Sequence, residues 1–153
     1  MKKISIIIIA IFSAVILTAA EDKPKEKTAA EYIKDLKADN DEKSIVTAAE
    51  WLGKEKKKDA IPQLVSLLND SRENVRLNTV VALGYIGEEK GCLDGLHKVL
   101  LNDESAIVRY AALLATFRIG SKNSIDTWEQ SKKKESDPDM QDFLNKMFEK
   151  AKK

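Results

Sequence analysis

The sequence predicts an all-α protein, an α-solenoid built from about four antiparallel helix pairs. Three observations support this prediction. One segment recurs with a spacing of 33 residues, apolar residues follow the 3.6-residue period of a helix, and the two-residue alternation typical of a strand is missing along the whole sequence. Because one pair of amphipathic helices cannot bury its own apolar face, successive pairs are expected to stack and share a core.

The repeat is clearest between residues 67–87 and residues 100–120. A spacing of 34 residues further aligns residues 51–53 with residues 85–87, so Trp51 is expected to correspond to Tyr85. The segments that match at a spacing of 33 are Leu67-Leu68 with Leu100-Leu101, Asn69-Asp70 with Asn102-Asp103, Val75-Arg76 with Val108-Arg109, Ala82 with Ala115, and Ile86-Gly87 with Ile119-Gly120.

Each repeat contains two helical patterns. In the best-defined unit, Asp59 is expected to cap a first helix that ends at Leu68, and Pro62 suits its first turn because its missing N–H costs nothing there. The second helix begins near Arg72, and Gly87 is placed to end it. The expected core positions of this unit are Ile61, Leu64, Leu67, Leu68, Val75, Thr79, Ala82, Leu83 and Ile86. The expected helices span residues 28–37, 42–52, 60–68, 72–86, 92–101, 105–119, 124–133 and 138–151.

The chain begins with a segment unlike the repeats. A basic start at residues 1–3 precedes an uncharged apolar run at residues 4–17 and small residues at 18–20, the order typical of a secretory signal. The run is shorter than the roughly 20 residues that span a bilayer. We therefore predict an exported protein, periplasmic or secreted, with an uncleaved N-terminal membrane anchor as the alternative. The predicted regions are a signal peptide at 1–20, a charged linker at 21–27 and a repeat domain at 28–153.

Composition and charge argue against several functional classes. The 26 Lys and Arg residues nearly balance 25 Asp and Glu, whereas nucleic-acid binding usually needs a basic surface. A single Cys (Cys92) and a single His (His97) exclude an internal disulfide and a zinc site built mainly of these residues. Cys92 is expected to be a buried, inert thiol, with a reactive or intermolecular thiol as the alternative. We expect no metal, no cofactor and no enzymatic activity, since the sequence contains no nucleophile–base pair or phosphate loop.

The repeated residues resemble the HEAT repeat family, in particular the short HEAT-like repeats of the phycobilisome-lyase type. The resemblance extends over residues 28–151 and is strongest over 59–120, with a departure at Thr116 and Phe117, where the family pattern has Leu-Gly. It implies a right-handed superhelix whose second helices line the concave side. The segments that carry it are Ala60 to Asp70, Val75-Arg76, Ala82-Leu83-Gly84, Ile86-Gly87, Leu93, Leu96, Leu100-Leu101, Asp103, Val108-Arg109, Ala111-Ala112 and Ile119-Gly120.

The resemblance also implies a structural role for two acid–arginine pairs. Asp70 with Arg76, and Asp103 with Arg109, would form a ladder of charge-assisted hydrogen bonds that ties the inter-helix turn to the second helix. An acid beside a fixed cation also suggests catalysis. The structural role is favoured because a planar guanidinium can bond several acceptors at once.

The second helices carry a stripe of residues that the expected core does not use. Positions four apart stack on one helical face, and Tyr, Trp and Arg dominate binding hot spots. The stripe is therefore a candidate protein-binding surface; the alternative is that these side chains pack between neighbouring second helices. The candidate binding residues are Trp51, Leu77, Val81, Tyr85, Tyr110, Leu114 and Arg118, and Lys43 and Thr47 complete the stripe in the first unit.

Together these features predict an exported, non-enzymatic module that binds or scaffolds a protein partner through the face of its second helices. We expect a monomer or a part of a hetero-complex, with no nucleic-acid partner and no membrane contact after signal cleavage. By analogy with phycobilisome lyases, the alternative is an accessory lyase-like or chaperone subunit of an enzyme complex. A HEAT-like DNA glycosylase would need a basic concave face, and the near-zero net charge argues against one.

Overall fold

Eight α-helices and no strand occur in the part of the chain that the computed structural model describes, residues 27–151. The all-α prediction is confirmed for these residues, and the predicted signal peptide lies outside them. Two short 3₁₀ turns, Lys58–Ala60 and Lys122–Ser124, lead into the third and seventh helices. The helices are α1 (Ala29–Asp35), α2 (Glu42–Lys54), α3 (Ile61–Leu67), α4 (Glu73–Ile86), α5 (Leu93–Asn102), α6 (Ala106–Ile119), α7 (Ile125–Lys134) and α8 (Pro138–Ala151).

The helices pair in order along the chain. Each of α1, α3, α5 and α7 packs against the helix that follows it, and α2, α4 and α6 lie side by side with α4 in the middle. The second helices therefore form one layer and the first helices the other, as expected for stacked helix pairs that share a core.

The sequence fixes several helix ends through local hydrogen bonds. Thr28 starts α1 with a capping box, in which its hydroxyl accepts from the N–H of Glu31 at 3.3 Å and the Glu31 carboxylate accepts from the N–H of Thr28 at 2.7 Å. Gly87 ends α4 in the left-handed region, at a φ of +69°. The predicted cap at Asp59 is wrong: this residue lies inside the 3₁₀ turn, and no side chain caps α3, because the chain enters this helix through the turn itself.

The core of the best-defined repeat lies where the apolar period places it. Each core position predicted there is buried, including the hydroxyl-bearing Thr79, which is fully buried. One continuous cluster joins these residues to the core of the other pairs, from Leu36 near the start of the domain to Leu144 in α8. The pairs therefore share a single core and do not each form one of their own.

Neighbouring second helices approach closely where one of them carries a glycine. A Cβ atom on Gly53 of α2 would lie 2.8 Å from the Cα of Ala82, and a Cβ on Gly84 of α4 would lie 2.9 Å from the Cβ of Ala115. Neither distance is sterically allowed for a real side chain, so glycine is needed at both positions. Gly53 is thus the counterpart of Gly84.

This contact corrects the predicted alignment of the first repeat. Gly53 lies inside α2 and is buried, whereas Gly87 follows the last residue of α4. The spacing of 34 residues that aligned the two glycines is therefore wrong, and the first two second helices are 31 residues apart, as are their first residues, Glu42 and Glu73. In this register Trp51 corresponds to Ala82.

The last second helix is placed differently from the others. Phe117 occupies in α6 the position that Gly84 occupies in α4, and its ring lies 5.8 Å from the ring of Trp128 in α7. A phenylalanine at this position prevents the close approach that glycine permits. Accordingly, α8 packs mainly on α7, and its contact with α6 is looser than that of α6 with α4.

Candidate protein-binding face

Exposed apolar side chains are concentrated on two neighbouring second helices. Six large hydrophobic residues are exposed in the described part of the chain, and five of them lie on α4 or α6. Their exposed fractions range from 39% for Val81 to 54% for Phe117. Because α4 and α6 pack side by side, we call the surface that carries these residues the α4–α6 face. Its apolar members are Val81, Tyr85, Ile107, Leu114 and Phe117.

Four predicted binding residues meet on this face. Val81, Tyr85 and Leu114 are exposed on it, and Arg118 joins them at its edge. The guanidinium carbon of Arg118 lies 4.7 Å from the centre of the Tyr85 ring, a distance at which a cation is attracted to the π face. This contact crosses from α6 to α4, so the two helices present one joint surface.

Two predicted residues lie at the border of the face and are partly covered. Leu77 is half-buried beside the core. The ring of Tyr110 meets the ring of Phe143 of α8 edge to face, with 5.2 Å between the centroids. For these two residues the alternative interpretation, packing between helices, describes the observed contacts better than free exposure does.

Trp51 does not belong to the face, and its predicted correspondence to Tyr85 is wrong. Its ring stacks on the ring of Tyr32 of α1, with 4.5 Å between the centroids and 20° between the planes. The correct register of α2 brings Glu50 and Lys54 level with Val81 and Tyr85, and these two residues form an ion pair of 3.8 Å. The part of α2 that borders the α4–α6 face is therefore charged.

Ile107 and Phe117 belong to the face although neither was predicted. Ile107 lies seven residues before Leu114, and Phe117 three residues after it, so helical geometry places all three on one side of α6. Ile107 was missed because the stripe was traced only through positions four apart, and a spacing of seven residues along α6 would have found it. Phe117 was visible only as a departure from the repeat pattern.

Arg76 joins two repeats. It lies near the start of α4, and Gly84 lies near the other end of the same helix. Its Nη1 donates to the backbone carbonyls of Asp70 at 2.9 Å and Ser71 at 3.2 Å, in the turn before α4. Its Nε and Nη2 donate to the carboxylate of Asp103, in the next repeat, at 2.9 and 3.1 Å. The side chains of Arg76 and Asp103 are both buried. The guanidinium thus binds its own turn through carbonyls and the following repeat through a carboxylate.

Arg109 repeats this arrangement one unit later. It donates to the carbonyls of Asp103 and Glu104 and, from Nε and Nη2, to the carboxylate of Glu135 at 2.9 and 2.6 Å. The hydrogen bond from Arg109 lowers the pKa of the buried Glu135 carboxyl. Glu135 was not identified as a candidate because it belongs to the atypical last unit.

The predicted pairs of Asp70 with Arg76 and of Asp103 with Arg109 are joined through the backbone carbonyl of the aspartate, and the carboxylate of Asp70 binds a different arginine. Its carboxylate accepts from Nε and Nη2 of Arg72 at 2.8 and 2.7 Å, and this hydrogen bonding lowers the pKa of Asp70. Arg72 also donates to the backbone carbonyls of Ala38 and Asn40 in the first unit. Arg72 takes this role because α2 has Ile45 at the position that corresponds to Arg76 and therefore offers no guanidinium to Asp70.

Two further reactive side chains, those of Cys92 and His97, are buried and half-buried respectively. Cys92 is buried, and this burial raises the pKa of its thiol to about 11. Burial also lowers the pKa of His97, whose Nε2 lies 2.9 Å from the hydroxyl oxygen of Ser124.

Among the described residues, His, Cys, Asp and Glu side chains form no group of three that could hold a metal ion. Over the same residues, none of the helices has the length and apolar character needed to cross a membrane.

Comparison with known proteins agrees with this architecture. A family model described as HEAT repeats matches residues 29–116, more than half of the 153-residue chain. The match begins at the first residue of α1 and ends within α6. It is a match to HEAT repeats in general and not to the phycobilisome-lyase type in particular. A search of the curated proteins finds no match to the chain.

Proposed function

Because this chain belongs to the HEAT repeat family, whose repeats generally mediate protein–protein interaction, we propose that it binds or scaffolds a protein partner through the α4–α6 face. The observation that carries the proposal is the grouping of five exposed apolar side chains on two adjacent helices. Exposed apolar surface of this kind, concentrated in one place, is typical of protein-interaction sites.

The rigid helices that carry the face reduce the conformational entropy that is lost on binding. Tyr85, Leu114 and Phe117 stand on regular helices, and the contact of Gly84 with Ala115 holds those helices at a fixed separation. Side chains held on rigid elements need little ordering when a partner arrives, so more of the burial energy appears as affinity.

We propose that the protein is not an enzyme, in keeping with a family that is typically non-enzymatic. The buried carboxylates of Asp70 and Glu135 are each held by an arginine that lowers their pKa, and they are therefore poor proton carriers at neutral pH. The raised pKa of Cys92 keeps its thiol protonated and weakly nucleophilic.

The proposed binding is tested by comparing apolar residues inside and outside the face. The double variant Val81→Ser, Leu114→Ser should reduce capture of partner proteins from an envelope extract. Ile125→Ser is the matched control, because Ile125 is equally apolar, 44% exposed, and lies on α7 outside the face. Equal capture by both variants, at unchanged melting temperatures, would contradict the proposed binding site.

We also propose that the protein is exported and acts as a monomer or in a hetero-complex, outside the cytoplasm and without membrane contact after signal cleavage. The basic start, apolar run and small residues at 18–20 support this proposal. Intact-mass measurement of the protein from its native host tests it, with the mature N-terminus expected at Ala20 or Glu21. Retention of residues 1–20 in a membrane fraction would instead indicate an N-terminal anchor.

A further inference from the structure

Arg118 differs from the three other arginines of the sequence. Arg72, Arg76 and Arg109 each hold a carboxylate, those of Asp70, Asp103 and Glu135. Arg118 is exposed and forms no salt bridge with an acidic residue of the described chain. On α2, the acidic residue that lies level with Val81 is Glu50, and Glu50 is paired with Lys54. Within residues 27–149, the guanidinium on the α4–α6 face therefore has no carboxylate partner.

The contact with Tyr85 positions this guanidinium without using its hydrogen-bonding capacity. The guanidinium carbon lies 4.7 Å from the centre of the ring, and the attraction of a cation to the π face uses none of the five N–H donors of the guanidinium. The ring thus restricts the side chain of Arg118, while the donors stay available to an acceptor that approaches along the surface. A carboxylate can accept two of them at once.

The surroundings of Arg118 favour a partner that supplies that carboxylate. Val81, Leu114 and Phe117 lie on the same face, so a partner that covers them also removes water from the guanidinium. A purely apolar partner would leave a desolvated positive charge uncompensated, which is strongly unfavourable. A carboxylate would replace the lost hydration, and the pair would strengthen as water is excluded.

We propose that the α4–α6 face recognises a protein segment in which an Asp or Glu side chain is flanked by large apolar residues, and that Arg118, held by Tyr85, binds that carboxylate. This inference rests on the proposed function, because it specifies the partner of the same face. In this proposal the apolar side chains supply most of the affinity, and Arg118 supplies the preference for an acidic residue.

A displayed library of random 16-residue peptides, selected on the full chain, tests the proposal. Peptides selected on the wild type should be enriched in Asp or Glu beside Leu, Phe, Tyr or Trp. Selection on Arg118→Glu should replace this acidic preference with Lys or Arg. Lys133→Glu is the matched control, since it makes the same change in net charge at an exposed position of α7 outside the face, and it should keep the acidic preference.

A double-mutant comparison on one selected peptide makes the result quantitative. Replacing its acidic residue by Gln should weaken binding to the wild type at least about tenfold and should change binding to Arg118→Gln little. Equal weakening on both proteins overturns the inference, as does a wild-type pool with no acidic enrichment. If the peptides instead bind the double variant Val81→Ser, Leu114→Ser as well as the wild type, the proposed binding face itself is wrong, and the two failures can be told apart.

Discussion

Gly84 of α4 lies so close to Ala115 of α6 that a Cβ atom added to Gly84 would be 2.9 Å from the Cβ of Ala115 and 3.1 Å from its Cα. Gly84→Ala should therefore force the two helices apart and lower the free energy of unfolding by about 1–3 kcal/mol. The expected loss exceeds the gain in helix propensity, which is about 1 kcal/mol. Urea unfolding of both proteins measures the difference.

A second substitution, at Ala115, provides the control for this clash. Adding Ala115→Gly to Gly84→Ala removes the opposing methyl group and should recover part of the lost stability. If Gly84→Ala alone is as stable as the wild type, the close approach of the two helices is not required.

Replacing Arg76 should destabilise the fold by removing the link between two repeats. Arg76→Ala leaves the buried carboxylate of Asp103 without its counter-charge and two turn carbonyls without a donor, at a cost of about 1–3 kcal/mol. Thermal unfolding measures this loss. Arg118→Ala is the control, because Arg118 is exposed and lacks a carboxylate in the described structure, so its melting temperature should stay close to that of the wild type. Unchanged melting of Arg76→Ala with lost binding would mean that Arg76 serves function.

The salt link of Arg109 with Glu135 should make stability fall in acid. Because the pKa of Glu135 is lowered in the folded protein from an ordinary value of 4.5, the unfolded chain takes up this proton first. The stabilisation is complete above the unfolded pKa and is lost as the pH falls through the folded one. Between about pH 6 and pH 3 the wild type should therefore lose more stability than Glu135→Gln. Glu129→Gln, which changes an exposed carboxylate on α7, should follow the wild type; identical pH curves for all three proteins would contradict the assignment.

Tyr85 and Leu83 should separate the binding face from the core. Tyr85→Ser removes an exposed ring and should weaken partner capture with little change in melting temperature. Leu83→Ala opens a cavity in the core and should cost about 2–5 kcal/mol. Tyr110→Ser should fall between them, because it loses the edge-to-face contact with Phe143, which is worth about 0.5–1.5 kcal/mol. If Tyr85→Ser unfolds as readily as Leu83→Ala, Tyr85 is part of the scaffold.

The thiol of Cys92 should resist labelling in the folded protein. With its pKa raised to about 11 and its side chain buried, the thiolate that reacts with maleimides or aromatic disulfides is scarce at pH values near about 8. Labelling should be slow in native buffer and rapid in concentrated urea, followed by mass spectrometry. Equal rates in both conditions would show an accessible, reactive thiol.

The helices and the core were predictable because they depend on patterns local to each repeat. The apolar period placed Val75, Leu83 and Ile86 correctly, and Gly87 ended α4 as expected, since both features follow from the geometry of a single helix. The start of α3 was not predictable, because the choice between a 3₁₀ turn and a cap at Asp59 depends on how the chain arrives from the preceding pair.

The place of each site residue depended on contacts between repeats, which single-repeat patterns do not contain. Trp51 was aligned with Tyr85 because the letters Trp-Leu-Gly resemble Tyr-Ile-Gly, whereas the packing of Gly53 on Ala82 sets the true register. The partner of Arg109 was missed for a related reason: Glu135 lies across a repeat boundary, in a unit whose sequence departs from the pattern.

The arginine contacts carry a consequence for how the molecule unfolds. Arg72 reaches from the second helix pair to the first, Arg76 from the second to the third, and Arg109 from the third to the fourth. Detachment of the first pair alone would break the two hydrogen bonds from Arg72 to backbone carbonyls, and detachment of the fourth would break the ion pair of Arg109 with Glu135, so partly unfolded states with one pair missing are disfavoured. Nearest-neighbour coupling of this strength makes the loss of all four pairs a single cooperative transition, although each pair contacts only those beside it.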